Sequence, residues 1–316
     1  MRRPRTKAPG EGFYHVVSRI AGKRFLLDAA EKRILLDRIR RAAAFSGVEV
    51  YTHALMDNHF HLLVRVPRKN EISDAELDRR VVALYGPAAA SRIFEKWDAW
   101  ARKGKDWRVA DAKNRLRARM FDLSQFCKTF KETYTQDYNR RHANTGSLWE
   151  GRFKSILLEG REGALMTVAA YIHLNPVRAG TAKQAAEAPN TAFGAACAGD
   201  EASQAGLNRL TGRVFIDIDA IADWATARTA CQNAVEGKIG TENPKTAPSL
   251  PAAAIRHLLE KRRVGLLHGQ ALGSASFLSQ AQSASLLPQR LRCRTSAFLD
   301  AYSPLGLTAA GGIRET

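Results

Sequence analysis

Two histidines one residue apart, His59 and His61, sit in the apolar run MDNHFHLLV (residues 56–64). On a β-strand alternate side chains share a face, so both imidazoles point one way while Phe60 and Leu62 point the other. Such a pair can ligate a divalent cation, and a tight site then needs a further donor from elsewhere in the fold. The same pair could equally be satisfied by backbone or water, because short motifs often match by accident. A second cluster lies at AAYIHLNPVRAG (169–180). On a helix Tyr171 and Asn175 stand one turn apart on a shared face and offer a phenol and an amide oxygen; His173 points elsewhere and packs or caps. Arg178 follows within two turns, and Arg152, Lys154 and Arg161 crowd the preceding segment. A free phenol, with a pKa of about 10, is a poor nucleophile. Beside a divalent cation its phenolate is favoured, and the same ion polarises a phosphate. Attack would give a covalent phosphotyrosine and a 3′ hydroxyl, conserving the bond energy for rejoining. A hydrolase wastes that energy; a strand-transfer enzyme needs it.

The elements that must position these groups are legible as patterns. GFYHVVSR (12–19), VEVYTHAL (48–55) and HFHLLVRV (59–66) have strand character, and Asp57-Asn58 between the last two predicts an antiparallel hairpin. DAAEKRILLDRIRRAAAF is an amphipathic helix with Ile34, Leu35 and Ile39 at helical spacing. A firmer helix begins near Asp122, with Gln125 three residues on, and carries Phe126, Phe130, Tyr134 and Tyr138 at i+4 steps. It ends in the polar loop NRRHANTGS. LWEGRFKSILLE reads as a strand pair or extended segment, and EGALMTVAAYIHL as a helix stopped at Asn175-Pro176. This order predicts an α+β fold with an antiparallel sheet and helices on one face. The expected organisation is a domain over 1–181 with a helical insertion at about 68–120 that holds Trp97, Trp100 and Trp107. A linker and extension over 182–251 and a mostly helical tail over 252–316 follow.

Of 316 residues, 45% are hydrophobic and 25% charged, the composition of a soluble globular protein. There is no apolar run of membrane-spanning length and no signal-peptide pattern at the N-terminus. Cys127, Cys197, Cys231 and Cys293 form no CxxC pair, which points to a reducing cytoplasm. Net charge is +18, yet residues 200–316 hold 13 basic against 10 acidic side chains, so the excess is concentrated in residues 1–199. A field of that sign attracts polyanions, nucleic acid above all. The expected phosphate contacts are Arg2, Arg3, Arg5 and Lys7 in the N-terminal tail, beside a duplex stem. Arg140, Arg141, Arg152 and Lys154 are expected around the loop before Trp149, near a single-strand junction, with Trp149 itself in the core.

Four stretches in this order, GFYHVVSR, MDNHFHLLVRVP, FKETYTQDYNRRHANTGSLWEGRFKS and YIHLNPVRAG, resemble the single-tyrosine HUH transposases of the insertion-sequence-200-like group. Within that group they are most similar to the REP-associated tyrosine transposases. The resemblance implies a ferredoxin-like sheet with the HUH pair on a central strand and the tyrosine on a helix packed nearby. It implies Mg²⁺ or Mn²⁺ on His59 and His61, and Tyr171 as the nucleophile on single-stranded DNA with a 5′-phosphotyrosine link. Relatives with a Tyr-x-x-x-Gln pattern take a third metal ligand from the Gln; here that position is Asn175, one methylene shorter. Partners would be single-stranded DNA and DNA hairpins, REP-like palindromes, met in the cytoplasm at the nucleoid by a monomer or a homodimer. A catalytically idle hairpin binder and a metal-dependent phosphodiesterase that uses water are the competing readings.

Overall fold

The β-branched and aromatic runs form strands where the alternation places them. β1 spans Gly12–Arg19, β2 Glu49–Leu55 and β3 His59–Val66. The computed structural model describes residues 5–160, 162–217, 219–236, 271–284, 286–287, 293–294 and 307–310. The β2–β3 turn is closed by the Met56 N–H donating to the His59 carbonyl at 2.8 Å. The Ile20 N–H donates to the Asn58 carbonyl at 2.8 Å, which sets the end of β1 beside the start of β3. β4 (Lys154–Leu158) pairs antiparallel with β1, His15 opposite Ile156. The LWEGRFKSILLE stretch thus yields one strand, and upstream of it an isolated bridge joins Trp149 to Ile20.

Beyond β4 the sheet takes in β5 (Ala271–Ser274), β6 (Cys293–Arg294) and β7 (Leu307–Ala310), in the order β2-β3-β1-β4-β5-β7-β6. Most of the tail expected to be mostly helical, 252–316, lies outside the described residues. Its described residues include one helix, Ala275–Ser283, and three strands. β4 would otherwise present an open edge of N–H and C=O groups, and the short apolar β5 covers it in parallel.

The chain divides into two compact units, one of residues 1–29, 50–65 and 149–316, the other of 30–49 and 66–148. A boundary at 181 is therefore not a division of the fold. In the first unit α6 (Glu162–His173) is apolar on every side, with Ala164 through Ile172 all buried. Such a helix needs cover all round. The sheet supplies Phe13, Tyr51, Leu63, Ile156 and Leu158 on one side. Further cover comes from α8 (Ala192–Cys197), α9 (Glu201–Phe215) and α10 (Trp224–Glu236), with Phe193, Leu207, Leu210 and Cys231. Within the expected linker and extension, 182–251, the Ala/Gly content of 182–236 serves this close packing. At Gly206 a Cβ would meet the Val50 and Tyr51 carbonyl oxygens at 2.7 and 2.8 Å. The remainder of the expected linker, 237–251, lies outside the described residues. α6 stops where Pro176 cannot supply the N–H that would bond the Ile172 carbonyl, and the short α7 (Asn175–Arg178) follows.

The second unit holds most of α1 (Ala29–Ser46), together with α2 (Asp74–Tyr85), α3 (Pro87–Ala101), α4 (Asp106–Arg117) and α5 (Leu123–Arg141). Asp122 caps α5, its carboxylate accepting from the Gln125 N–H at 2.8 Å. Glu31 is buried against α5. The Tyr134 hydroxyl donates to it at 2.9 Å, Arg141 pairs with it, and the His142 Nε2 lies at 2.8 Å. Burial alone would raise the Glu31 pKa, but hydrogen bonds from Arg141, His142 and Tyr134 outweigh it and hold the carboxyl below its ordinary value. A group with a depressed folded pKa adds stability that is present above its unfolded pKa and lost as pH falls through the folded one. Glu31→Gln should therefore be less stable at pH 7 by roughly 1–3 kcal/mol in urea unfolding. Below about pH 4.5 it should lose stability less steeply than the wild type. Equal acid slopes would assign the titration to other carboxylates.

Candidate active site

α6 lies over the sheet face that carries the odd-numbered residues of β1 and β3, which puts His15, His59 and His61 beneath it. His15 stacks on His61 with ring centroids 5.2 Å apart, and its Nε2 lies 3.0 Å from the His61 Nδ1. His59 stands edge-on to His61 at 5.0 Å, and its Nδ1 lies 2.7 Å from the Asn58 Oδ1. The Asn58 amide nitrogen donates to the Lys23 carbonyl at 3.0 Å, which fixes its oxygen toward His59. That oxygen can only accept, so the His59 proton resides on Nδ1 and the lone pair on Nε2. Burial, then the Arg19 charge, pushes the His59 pKa down to about 4, so the ring is neutral at pH 7. His61 is also held neutral, by burial first and then by the charges that His15 and His59 would carry. With Nδ1 of His61 engaged by His15, Nε2 is the nitrogen left to ligate. Anchoring one ring nitrogen so that the other faces a metal is how ligating histidines are oriented.

The Tyr171 ring meets both imidazoles edge-on, at 5.8 Å from His15 and 5.6 Å from His61. It is 5% exposed, and burial raises its pKa, opposed by the charge and hydrogen bond of Arg178 and the charge of Arg19. The phenol is thus protonated at rest. The Arg178 Cζ lies 5.1 Å from the Tyr171 ring centroid, and its Nη1 is buried with no hydrogen-bond partner among the described residues. A buried cationic N–H without an acceptor is costly. A phosphate oxygen would satisfy it. The Asn175 Nδ2 donates to the Tyr171 carbonyl at 2.8 Å, which leaves Oδ1 as the only side-chain atom that could ligate. Among the described residues no three His, Cys, Asp or Glu side chains form a metal cage, so a cation here would rely on other oxygens.

Residues 11–102 match the family model described as "Transposase IS200 like". This part of the chain is similar to the IS200-like transposases. It contains His15, Arg19, His59 and His61 and ends before Tyr171, whose place in the site rests on the geometry above. A solved structure described as "Structure of the REP associates tyrosine transposase bound to a REP hairpin" aligns with a TM-score of 0.38 at 14% identity, over 63% of this chain and 87% of that one. No curated protein matches the chain.

Two residues of the matched segment join the site unforeseen by spacing, His15 and Arg19. Alternation along GFYHVVSR puts both on one face, but only the strand order β2-β3-β1 sets that face beside His61. His173 faces away as expected. It is buried, its Nε2 is 2.7 Å from the Thr52 Oγ1, and its ring stacks on Phe193. Trp149 is core, edge-on to Phe60 at 5.5 Å.

Of the expected phosphate contacts, Arg2 and Arg3 lie outside the described residues. Lys7, Arg152 and Lys154 are exposed in the first unit. Arg5 lies 3.7 Å over the Phe153 ring and donates to the Phe153 carbonyl at 3.3 Å, which brings it to the segment that carries Arg152 and Lys154. Arg140 and Arg141 belong to the second unit. Arg140 pairs with Asp137 at 2.6 Å, and Arg141 is committed to Glu31 and Asp137. Among the described residues no helix is long and apolar enough to cross a membrane.

Proposed function

We propose that this chain is a transposase that cuts and rejoins single-stranded DNA through a covalent bond to Tyr171, with Mg²⁺ or Mn²⁺ held by His59 and His61. The observation that carries this is the Tyr171 ring set edge-on against His61, whose Nε2 is the nitrogen left for a ligand. Two neutral imidazoles would leave most coordination positions of Mg²⁺ or Mn²⁺ to the oxygens of water and phosphate, which such hard cations prefer. When bound, the cation draws charge from the phosphate and favours the phenolate. The chain's own groups do the rest. Arg178, with its unsatisfied Nη1, and Arg19 hold the scissile phosphate. Tyr171 Oη attacks phosphorus, the Oη–P bond forms and the P–O3′ bond breaks. Net, the proton lost by the phenol is the one gained by the 3′ oxygen. The reverse attack by a 3′ hydroxyl rejoins a strand and frees Tyr171.

Tyr171 packs on the imidazoles of its own chain, which supports use of the tyrosine in cis. The substrate class we assign is a DNA hairpin with a single-stranded flank, since a basic surface that includes Lys7, Arg152 and Lys154 can hold the backbone. The test is a single strand labelled at its 3′ end, incubated with protein and Mg²⁺ or Mn²⁺ and run on a denaturing gel. Label that travels with the protein, and is lost in EDTA, is the expected result. Free products without an adduct would mean that water attacks. Binding without cleavage would make the chain an occupancy protein.

A further inference from the structure

The helical insertion of the second unit carries three tryptophans in three different settings. Trp97 is 7% exposed and packs with Phe45, Leu77 and Val81 in a small core. Trp100 is half-buried beside it, whereas Trp107 is 66% exposed on α4. No residue of α4 is fully buried. One exposed tryptophan alone needs no explanation, whereas one that helps to wall an aromatic cleft is a surface that a partner can use.

Between α3 and α4 lies a cleft of about 780 Å³, walled by Tyr85 and the three tryptophans. Its rim is cationic. The Lys96 Nζ lies 4.9 Å from the Trp100 ring centroid, and the Arg108 Cζ lies 5.1 Å from that of Trp107. Arg92 and Arg119 line it too, and its one acid, Asp111, is paired with Arg115. A neutral apolar peptide would cover the rings and leave those charges unmatched. Duplex DNA would match the charges but present no free base face to the rings. A single strand offers both a phosphate chain and unstacked bases, the combination that aromatic and basic grooves hold.

We infer that the α2–α4 insertion is a second nucleic-acid site, which stacks unpaired DNA bases on Trp107 and Trp100 and holds their phosphates on Arg92, Lys96 and Arg108. That the strand is DNA rests on the function proposed above. The surface belongs to the second unit and the histidine–tyrosine cluster to the first, so the two are separate sites.

The full chain, titrated with a dT oligomer of about 15 nucleotides, tests this. Trp107→Ala should weaken binding at least about fivefold, the loss of one stacked base, while Trp107→Phe keeps most of it. Heparin, a polyanion without bases, should bind Trp107→Ala as it binds wild type. The triple variant Arg92→Gln, Lys96→Gln, Arg108→Gln should flatten the slope of log K against log salt by about 2, at roughly 0.7 per contact on a single strand. All these positions are exposed, and unchanged circular-dichroism melts will certify the folds. Unchanged dT affinity and slope in both variants would overturn the inference. So would an oligo-rU preferred over dT and lost in the same variants, which would make the cleft an RNA site. The adduct assay separates the two claims. An adduct at Tyr171 with unaltered dT binding in the variants sinks only the insertion site. Weakened dT binding with no adduct under any condition sinks only the catalytic reading.

Discussion

Tyr171→Phe should bind hairpin DNA as wild type does and form no covalent adduct. The substitution removes one oxygen and leaves the ring, so the edge-on packing against His15 and His61 persists and the 5% exposure of the side chain is unchanged. What is lost structurally is the hydrogen bond with Arg178. Stability should fall by no more than about 1 kcal/mol. Chemistry should fall far more, because no other group in the cluster offers a nucleophilic oxygen. Removing a nucleophile outright costs at least about 10³-fold in rate. The comparison is made on denaturing gels with saturating 3′-labelled substrate. Adduct at wild-type yield would move the nucleophile to another residue, and cleavage without adduct would hand the attack to water.

Why some of this site is legible in the sequence and some is not follows from how far each signal travels along the chain. The β3 run and the Asp122 cap are local patterns, a period of two and a side chain three residues from the N–H it accepts. The structure reproduces both. Tyr171 and Asn175 are likewise one helical turn apart, so their proximity is local. His15 is different. Its alternation is visible, but its neighbour is 46 residues away and set by strand order, a tertiary fact. The ion pair of Arg141 is hidden from the sequence for the same reason. In sequence it is one of a basic pair before a loop, while in space it neutralises Glu31 at a distance of 110 residues. The Ala/Gly-rich stretch after 182 carries the composition of a flexible connector. It forms packed helices because α6 is apolar all round and small residues let a helix approach β2 closely. Composition alone cannot tell smallness used for flexibility from smallness used for close approach.

His61→Ala and His15→Phe should both impair cleavage, and metal concentration should tell them apart. On the proposed function His61→Ala deletes a metal ligand, so cleavage should be lost by at least about 10²-fold at any tolerable Mn²⁺ concentration. His15 acts through another residue, as a positioning group. Its Nε2 lies 3.0 Å from the His61 Nδ1 and holds that ring so that Nε2 is the nitrogen turned out. Phenylalanine at 15 preserves the stack on His61 and the edge contact with Tyr171 but offers no nitrogen, so the His61 Nδ1–H is left buried without an acceptor. The ring then loses the contact that fixes its tautomer and orientation. Losses of this kind weaken metal affinity about 10- to 100-fold without removing a ligand. His15→Phe should therefore need about 10- to 100-fold more Mn²⁺ for half-maximal cleavage and regain most of the wild-type rate at saturation. His15→Gln, whose amide oxygen can accept from the same N–H, should fall between the two proteins. A rate that stays low for His15→Phe at saturating Mn²⁺ would instead make His15 a direct participant, either a third imidazole ligand or a proton carrier for Tyr171. An unshifted Mn²⁺ midpoint at full rate would reduce the His15–His61 contact to packing.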